Sequence, residues 1–123
     1  MAHPTSTETK VKDTAFSFAV SLVNYLKGIR ASSVELELVR QLTRSGTSIG
    51  ANVEEGEGAR TRPEFINSMN IAKREARETV YWLRLLAVAR GDDQKVLQDL
   101  LAQAEALLRM LTAIVKTSEH RRF

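Results

Sequence analysis

Residues 61–91 read TRPEFINSMNIAKREARETVYWLRLLAVARG, and their apolar spacing decides the fold. Phe65, Met69, Ala72, Ala76, Val80, Leu83 and Ala87 recur at steps of three and four, the period of a helix with one buried stripe. Thr61 and Glu64 have capping-box spacing, and Pro63 falls in the first turn, where its missing N–H costs nothing. Gly91 is the expected stop. No part of the stretch alternates at the period of a strand, so it reads as a helix over about 62–90.

Working outward, Gly56 to Arg60 forms a short hinge, and before it Ser32 stands three residues ahead of Glu35, a second capping box. That box opens a helix over about 33–55, with Leu38, Leu42, Ile49 and Val53 on a narrow arc. Phe18, Leu22, Leu26 and Ile29 predict a first helix over about 11–31, frayed near Gly28. Asp92 and Asp93 can cap a fourth over about 93–118, where Leu97, Leu101, Ala104, Leu108, Leu111 and Val115 alternate steps of four and three. Four amphipathic helices on short connections make an all-α fold, an antiparallel up-down four-helix bundle. Residues 1–10, MAHPTSTETK, lack an apolar run and are expected to be a disordered arm, neither a secretory signal nor a membrane span. Residues 119–123 are expected to be a tail.

The chain has 123 residues, enough for one domain that buries roughly two-thirds of its unfolded surface. It has no cysteine, which removes disulfides, thiolate metal sites and cysteine nucleophiles. Nothing points outside the cell, and a cytoplasmic location is expected. Net charge is +3, mild enough to permit nucleic-acid contact without requiring it.

The most informative polar residues lie in RSGTSIGANVEEG, Arg44 to Gly56. Ser45 and Asn52 fall beside the apolar arc, followed by Ser48 and Glu55, so polar groups line the edge of the core. Buried and unpaired, each would cost about 1–3 kcal/mol, so partners are expected across the bundle. With Arg44 they read as a structural network that fixes register, or as a small polar site. A serine nucleophile needs a base, and the only histidines, His3 and His120, lie in the terminal segments. Gly46 and Gly50 are expected to admit another backbone closely, and their spacing is that of neither a Walker loop nor a dinucleotide fingerprint. Glu75 and Glu78 are half of a carboxylate site with no histidine to complete it, and they read as ion pairs with Arg74, Arg77 or a neighbouring helix. No metal or cofactor is expected, and no enzymatic activity.

Charge is segregated. Residues 32–58 carry −3 and residues 59–90 carry +4. Lys73, Arg77 and Arg84 align on one side of the third helix, with Arg74 beside them and Arg60 and Arg62 at its entrance. These are the candidate nucleic-acid contacts. Tyr25, Tyr81 and Trp82 are few and sit mostly on apolar faces, which argues for backbone contact over base stacking. A second apolar line, Ile71, Trp82 and Leu85, is either a wide buried face or an oligomer interface.

RSGTSIGANVEEG followed by FINSMNIAKREARETVYWLRLL resembles the bacterial four-helix bundle protein family. Its members include proteins encoded by intervening sequences in 23S rRNA genes and the accessory variability protein of diversity-generating retroelements. The resemblance spans about Phe16 to Val115, with Ser45, Ser48, Asn52, Glu55 and Gly56 matching the helix-two pattern and Phe65, Ala72, Glu78 and Leu83 that of helix three. Arg74-Glu75 departs from it, since many relatives carry a Gly-Ser pair there. The resemblance implies a homopentameric barrel without known catalytic activity; its retroelement members bind nucleic acid and a reverse transcriptase through basic barrel surfaces, a role that would rest here on Lys73, Arg77 and Arg84. Two functions follow as expectations: a non-enzymatic homo-oligomer that binds RNA or DNA, or an interaction scaffold that docks a partner such as a reverse transcriptase.

Overall fold

The computed structural model describes residues 6–91 and 93–120. Among these there are four helices and no strand: α1 (Ser6–Gly28), α2 (Ser33–Glu57), α3 (Arg62–Ala89) and α4 (Gln94–His120). Capping chemistry sets the starts of α2 and α3. The Ser32 hydroxyl accepts from the Glu35 N–H at 3.2 Å while the Glu35 carboxylate accepts from the Ser32 N–H at 3.0 Å, a complete box. The box at α3 is half formed: Thr61 accepts from the Glu64 N–H at 3.2 Å, but the Glu64 carboxylate takes the Arg60 N–H instead, at 3.1 Å.

Several boundaries correct the expectations. Residues 6–10 are helical, so α1 begins a turn before Val11. Val11 and Ala15 are fully buried, and a helix nucleated by that packing extends cheaply through a polar turn that shows no apolar period. Residues 1–5 of the expected arm lie outside the described residues. The first helix ends at Gly28 rather than residue 31, and Ile29 packs on the core from the connection. Gly91 is no left-handed cap; α3 ends because Arg90 is extended, at φ −104° and ψ 135°. α4 runs to His120, because Ser118 is still buried in its last turn. Asp92 and residues 121–123 lie outside the described residues.

α1 packs on α2 and α4, and α3 also packs on α2 and α4, so α1 and α3 stand at diagonal corners. Contacts between opposite ends show the antiparallel sense: Lys12 near the start of α1 pairs with Glu57 at the end of α2, and Tyr25 near the end of α1 bonds Asp93 before α4. Phe18, Leu22, Leu42, Ile49, Phe65, Leu83, Leu107 and Leu111 fill the centre. Burying each of the two phenylalanines stabilises the fold by about 1.5–3 kcal/mol.

One end of the bundle is sealed by a polar latch. Arg90, with a side chain only 11% exposed, donates from Nε to Asp93 at 2.8 Å and from Nη1 to the Arg30 carbonyl at 2.8 Å and to Glu35 at 3.1 Å. The Tyr25 hydroxyl donates to the same Asp93 oxygen at 2.8 Å. That carboxylate therefore ties α1 to α3, where the sequence suggested a helix cap. The bonds from Tyr25 and Arg90 hold the Asp93 carboxyl below the usual carboxylate range, and burial followed by the Asp93 bond pushes the Tyr25 hydroxyl upward.

Candidate nucleic-acid interface

The seam between α2 and α3 is where the polar residues of helix two act. Arg44 reaches both α3 carboxylates, Glu75 at 3.1 Å and Glu78 through its other terminal nitrogen. One guanidinium thus neutralises an i,i+3 pair of acids, settling their pairing on a neighbouring helix. Below it the fully buried Ser45 hydroxyl shares a hydrogen bond with Thr79 at 2.9 Å, and Thr79 also bonds the Glu75 carbonyl at 2.7 Å. The rest of the expected network does not cross the seam. Ser48 donates to the Arg44 carbonyl at 2.6 Å and Asn52 to the Ser48 carbonyl at 2.8 Å, both within α2. Glu55 is exposed and lines an open cleft of about 510 Å³ with Asn52, Arg60, Glu64 and Asn67. Only Arg44 and Ser45 are therefore cross-bundle partners.

Neutralising Glu75 and Glu78 decides the electrostatics of α3. Lys73 is half-buried, while Arg74, Arg77 and Arg84 are exposed, and none of the four pairs with a carboxylate among the described residues. At 100° per residue, Lys73, Arg77 and Arg84 fall within an arc of about 40° on one flank of α3, roughly 90–130° around from the centre of its buried stripe. The two entrance residues differ. Arg62 lies over the Phe65 ring at 5.2 Å, and Arg60 belongs to the mixed-charge cleft rather than to the stripe.

The aromatic pair divides between the core and the surface. Trp82 is half-buried against the core, and its indole N–H donates to Glu78 at 3.1 Å. That bond and then Arg44 hold the Glu78 carboxyl below the usual range against an opposing push from burial. Tyr81 is 53% exposed, with its ring edge-on to Trp82 at 5.1 Å, and it shares its side of the helix with the exposed Arg77 and Arg84 and with the exposed Leu85 and Val88. Of the proposed interface line, Ile71 is half-buried, Trp82 leans on the core and Leu85 is exposed.

A different apolar surface went unread. Phe16 at 63% exposure, Val20 and Val23 form an outward stripe on α1. From Thr14 to Leu26 that helix carries no charged residue, a signal visible in the sequence once two stripes, not one, are sought on the same helix.

No group of three metal-ligating side chains occurs among the described residues. His3 lies outside them, and His120 is exposed at the end of α4, whereas Ser45 is sealed in the core. No helix there is long and apolar enough to cross a membrane.

Residues 7–113, spanning all of α2 and α3, match the model of a family described as 23S rRNA-intervening sequence protein. The chain belongs to that family. In keeping with membership of the 23S rRNA-intervening sequence protein family, the crystal structure of a protein of unknown function from the S23 ribosomal protein family of Bacteroides thetaiotaomicron is 38% identical to this chain. It superposes with a TM-score of 0.81 over 89% of this chain and 98% of its own. No curated protein matches the chain.

Proposed function

We propose that this member of the 23S rRNA-intervening sequence protein family is a non-enzymatic protein that binds the phosphate backbone of RNA or DNA through the outward face of α3. The observation that carries the reading is the group Lys73, Arg74, Arg77 and Arg84, which no carboxylate among the described residues answers while Arg44 occupies Glu75 and Glu78. Cations left free on one side of a helix attract phosphates, and each phosphate neutralised adds about −0.7 to −0.9 to the slope of log affinity against log salt. A chain using all four has a slope near −3. Fluorescence anisotropy with structured RNA and duplex DNA across a salt series tests this. Affinity absent at low salt, or insensitive to salt, refutes it. Arg77→Glu with Arg84→Glu should abolish binding while leaving the fold intact, since both side chains are exposed.

A second reading, favoured by the uncharged outer face of α1, is self-association. Interface centres are depleted of charge and enriched in aromatics, as Phe16, Val20 and Val23 would supply. An isologous α1–α1 contact closes a dimer and, with α1 diagonal to α3, leaves the basic stripe clear, whereas the pentamer implied by the family resemblance needs α1 to meet a second, different patch on the next copy. Light scattering checks the mass, and Phe16→Glu should dissociate the assembly. A monomeric mass would reassign the α1 face to a partner protein, such as the reverse transcriptase that the resemblance implies.

A further inference from the structure

Resting on the backbone-binding reading above, we propose that Tyr81 is a stacking platform for an unpaired nucleobase, so that α3 prefers single-stranded to duplex nucleic acid. Tyr81 keeps 53% of its surface in water, so its ring is open to a ligand. Two of its helical neighbours are exposed cations, while Leu85 and Val88 extend the apolar surface beside it. Arg77 is four residues before it and Arg84 three after, so their backbone positions lie about 6 Å and about 4.5 Å away along the helix axis, one on each side. Arg74 lies beside that line. Phosphates on either side of one base can then meet the two arginines while the base lies on the ring. Aromatic faces interleaved with cations are the combination that binds single strands without reading sequence.

The ring is also held in place. Tyr81 meets Trp82 edge-on at 5.1 Å, Trp82 is fixed by its 3.1 Å bond to Glu78, and Glu78 is clamped by Arg44. That chain of contacts runs from α2 through the inner side of α3 and leaves the outer side of Tyr81 open. Little side-chain freedom is lost when a base arrives. In a duplex the bases are already stacked inside, and only the phosphates reach the stripe.

The test compares oligothymidylate, an abasic strand of the same length and a duplex, by anisotropy, for the full chain and for Tyr81→Ala and Tyr81→Phe. The abasic strand keeps the phosphates and removes the stacking partner. The unmodified protein should favour oligothymidylate over the abasic strand by about fivefold or more, the range of single base–aromatic stacks. Tyr81→Ala should erase that preference and Tyr81→Phe should keep it. The chain has a single tryptophan, Trp82, whose fluorescence should be quenched by oligothymidylate and not by the abasic strand. Equal affinity for the two strands, or a preference that survives Tyr81→Ala, overturns the inference while the backbone reading stands. Binding of none of the probes at low salt overturns both. A change of solution mass in Tyr81→Ala would make Tyr81 a protein contact and also overturn the inference.

Discussion

The two flanks of α2 are built on different principles. Toward α1 it presents Gly46 and Gly50, and a Cβ added to Gly46 would run into Leu22, itself fully buried, while Gly50 lies in ordinary contact with Ala15. Toward α3 it presents Arg44 and Ser45, which pair with Glu75, Glu78 and Thr79. The first flank is held by shape and sets how closely two helices approach. The second is held by direction, since a one-residue slip would separate every donor from its acceptor. The difference continues outward: α1, behind the flank of shape, exposes an uncharged stripe, and α3, behind the flank of direction, exposes a charged one.

The largest effect is expected on the flank of shape. Gly46→Leu must displace Leu22 and Phe18 from a filled core and should cost about 2–3 kcal/mol in urea unfolding. An unchanged midpoint would mean that this flank yields to added volume. Next comes Thr79→Val, which keeps the volume and leaves the sealed Ser45 hydroxyl without its partner, at about 1–3 kcal/mol. Adding Ser45→Ala should return much of that loss, and simple additivity would deny the coupling.

Arg44→Gln should cost less than about 1 kcal/mol at neutral pH, because its ion pairs are half-exposed. Its signature is in acid. The folded Glu78 carboxyl titrates below its ordinary 4.5, so its contribution is fully present above that pH and is lost as pH falls through the lowered value. Thermal melts of the variant should therefore show a shallower acid decline, still sloping because Trp82 keeps its bond to Glu78. The smallest effect is expected from Asn52→Leu, about 0.5 kcal/mol, since Asn52 bonds only the Ser48 carbonyl of its own helix. A loss several times larger would reveal a partner outside the chain.

What could be read in the sequence followed from short-range rules. The Ser32 box and the Thr61 cap act within a few residues and place the starts of α2 and α3. The apolar steps place the stripes only in part, since Leu100 and Leu107 are buried in α4 where the steps point to Leu101 and Leu108, and Thr79 and Leu86 are buried in α3 where they point to Val80 and Ala87. The pairing of Glu75 and Glu78 with a neighbouring helix was among the alternatives read, and Arg44 was placed in the network without its partners. Thr79 was missed because a threonine within an apolar stripe carries no sign of what faces it. The contacts of Arg90 with Glu35 and of Tyr25 with Asp93 join residues 55 and 68 positions apart, beyond any period. Of the two readings of the Ile71, Trp82 and Leu85 line, Trp82 fits the wide buried face, since its indole packs on the core and bonds Glu78, while Leu85 stays exposed. Polar first turns such as Ser6 to Lys10 have no apolar rhythm at all, which hid the start of α1.

The latch at Arg90 gives the two ends of the bundle different opening behaviour. One guanidinium holds Arg30 and Glu35 across the α1–α2 connection and Asp93 in the α3–α4 connection. Neither connection can swing away without releasing bonds made by the same side chain. In native-state hydrogen exchange, the first-turn amides of α2 and α4 should share one opening event and one free energy. The α2–α3 connection at the opposite end, held by Thr61 and the local Arg60–Glu64 bond, should open alone and faster.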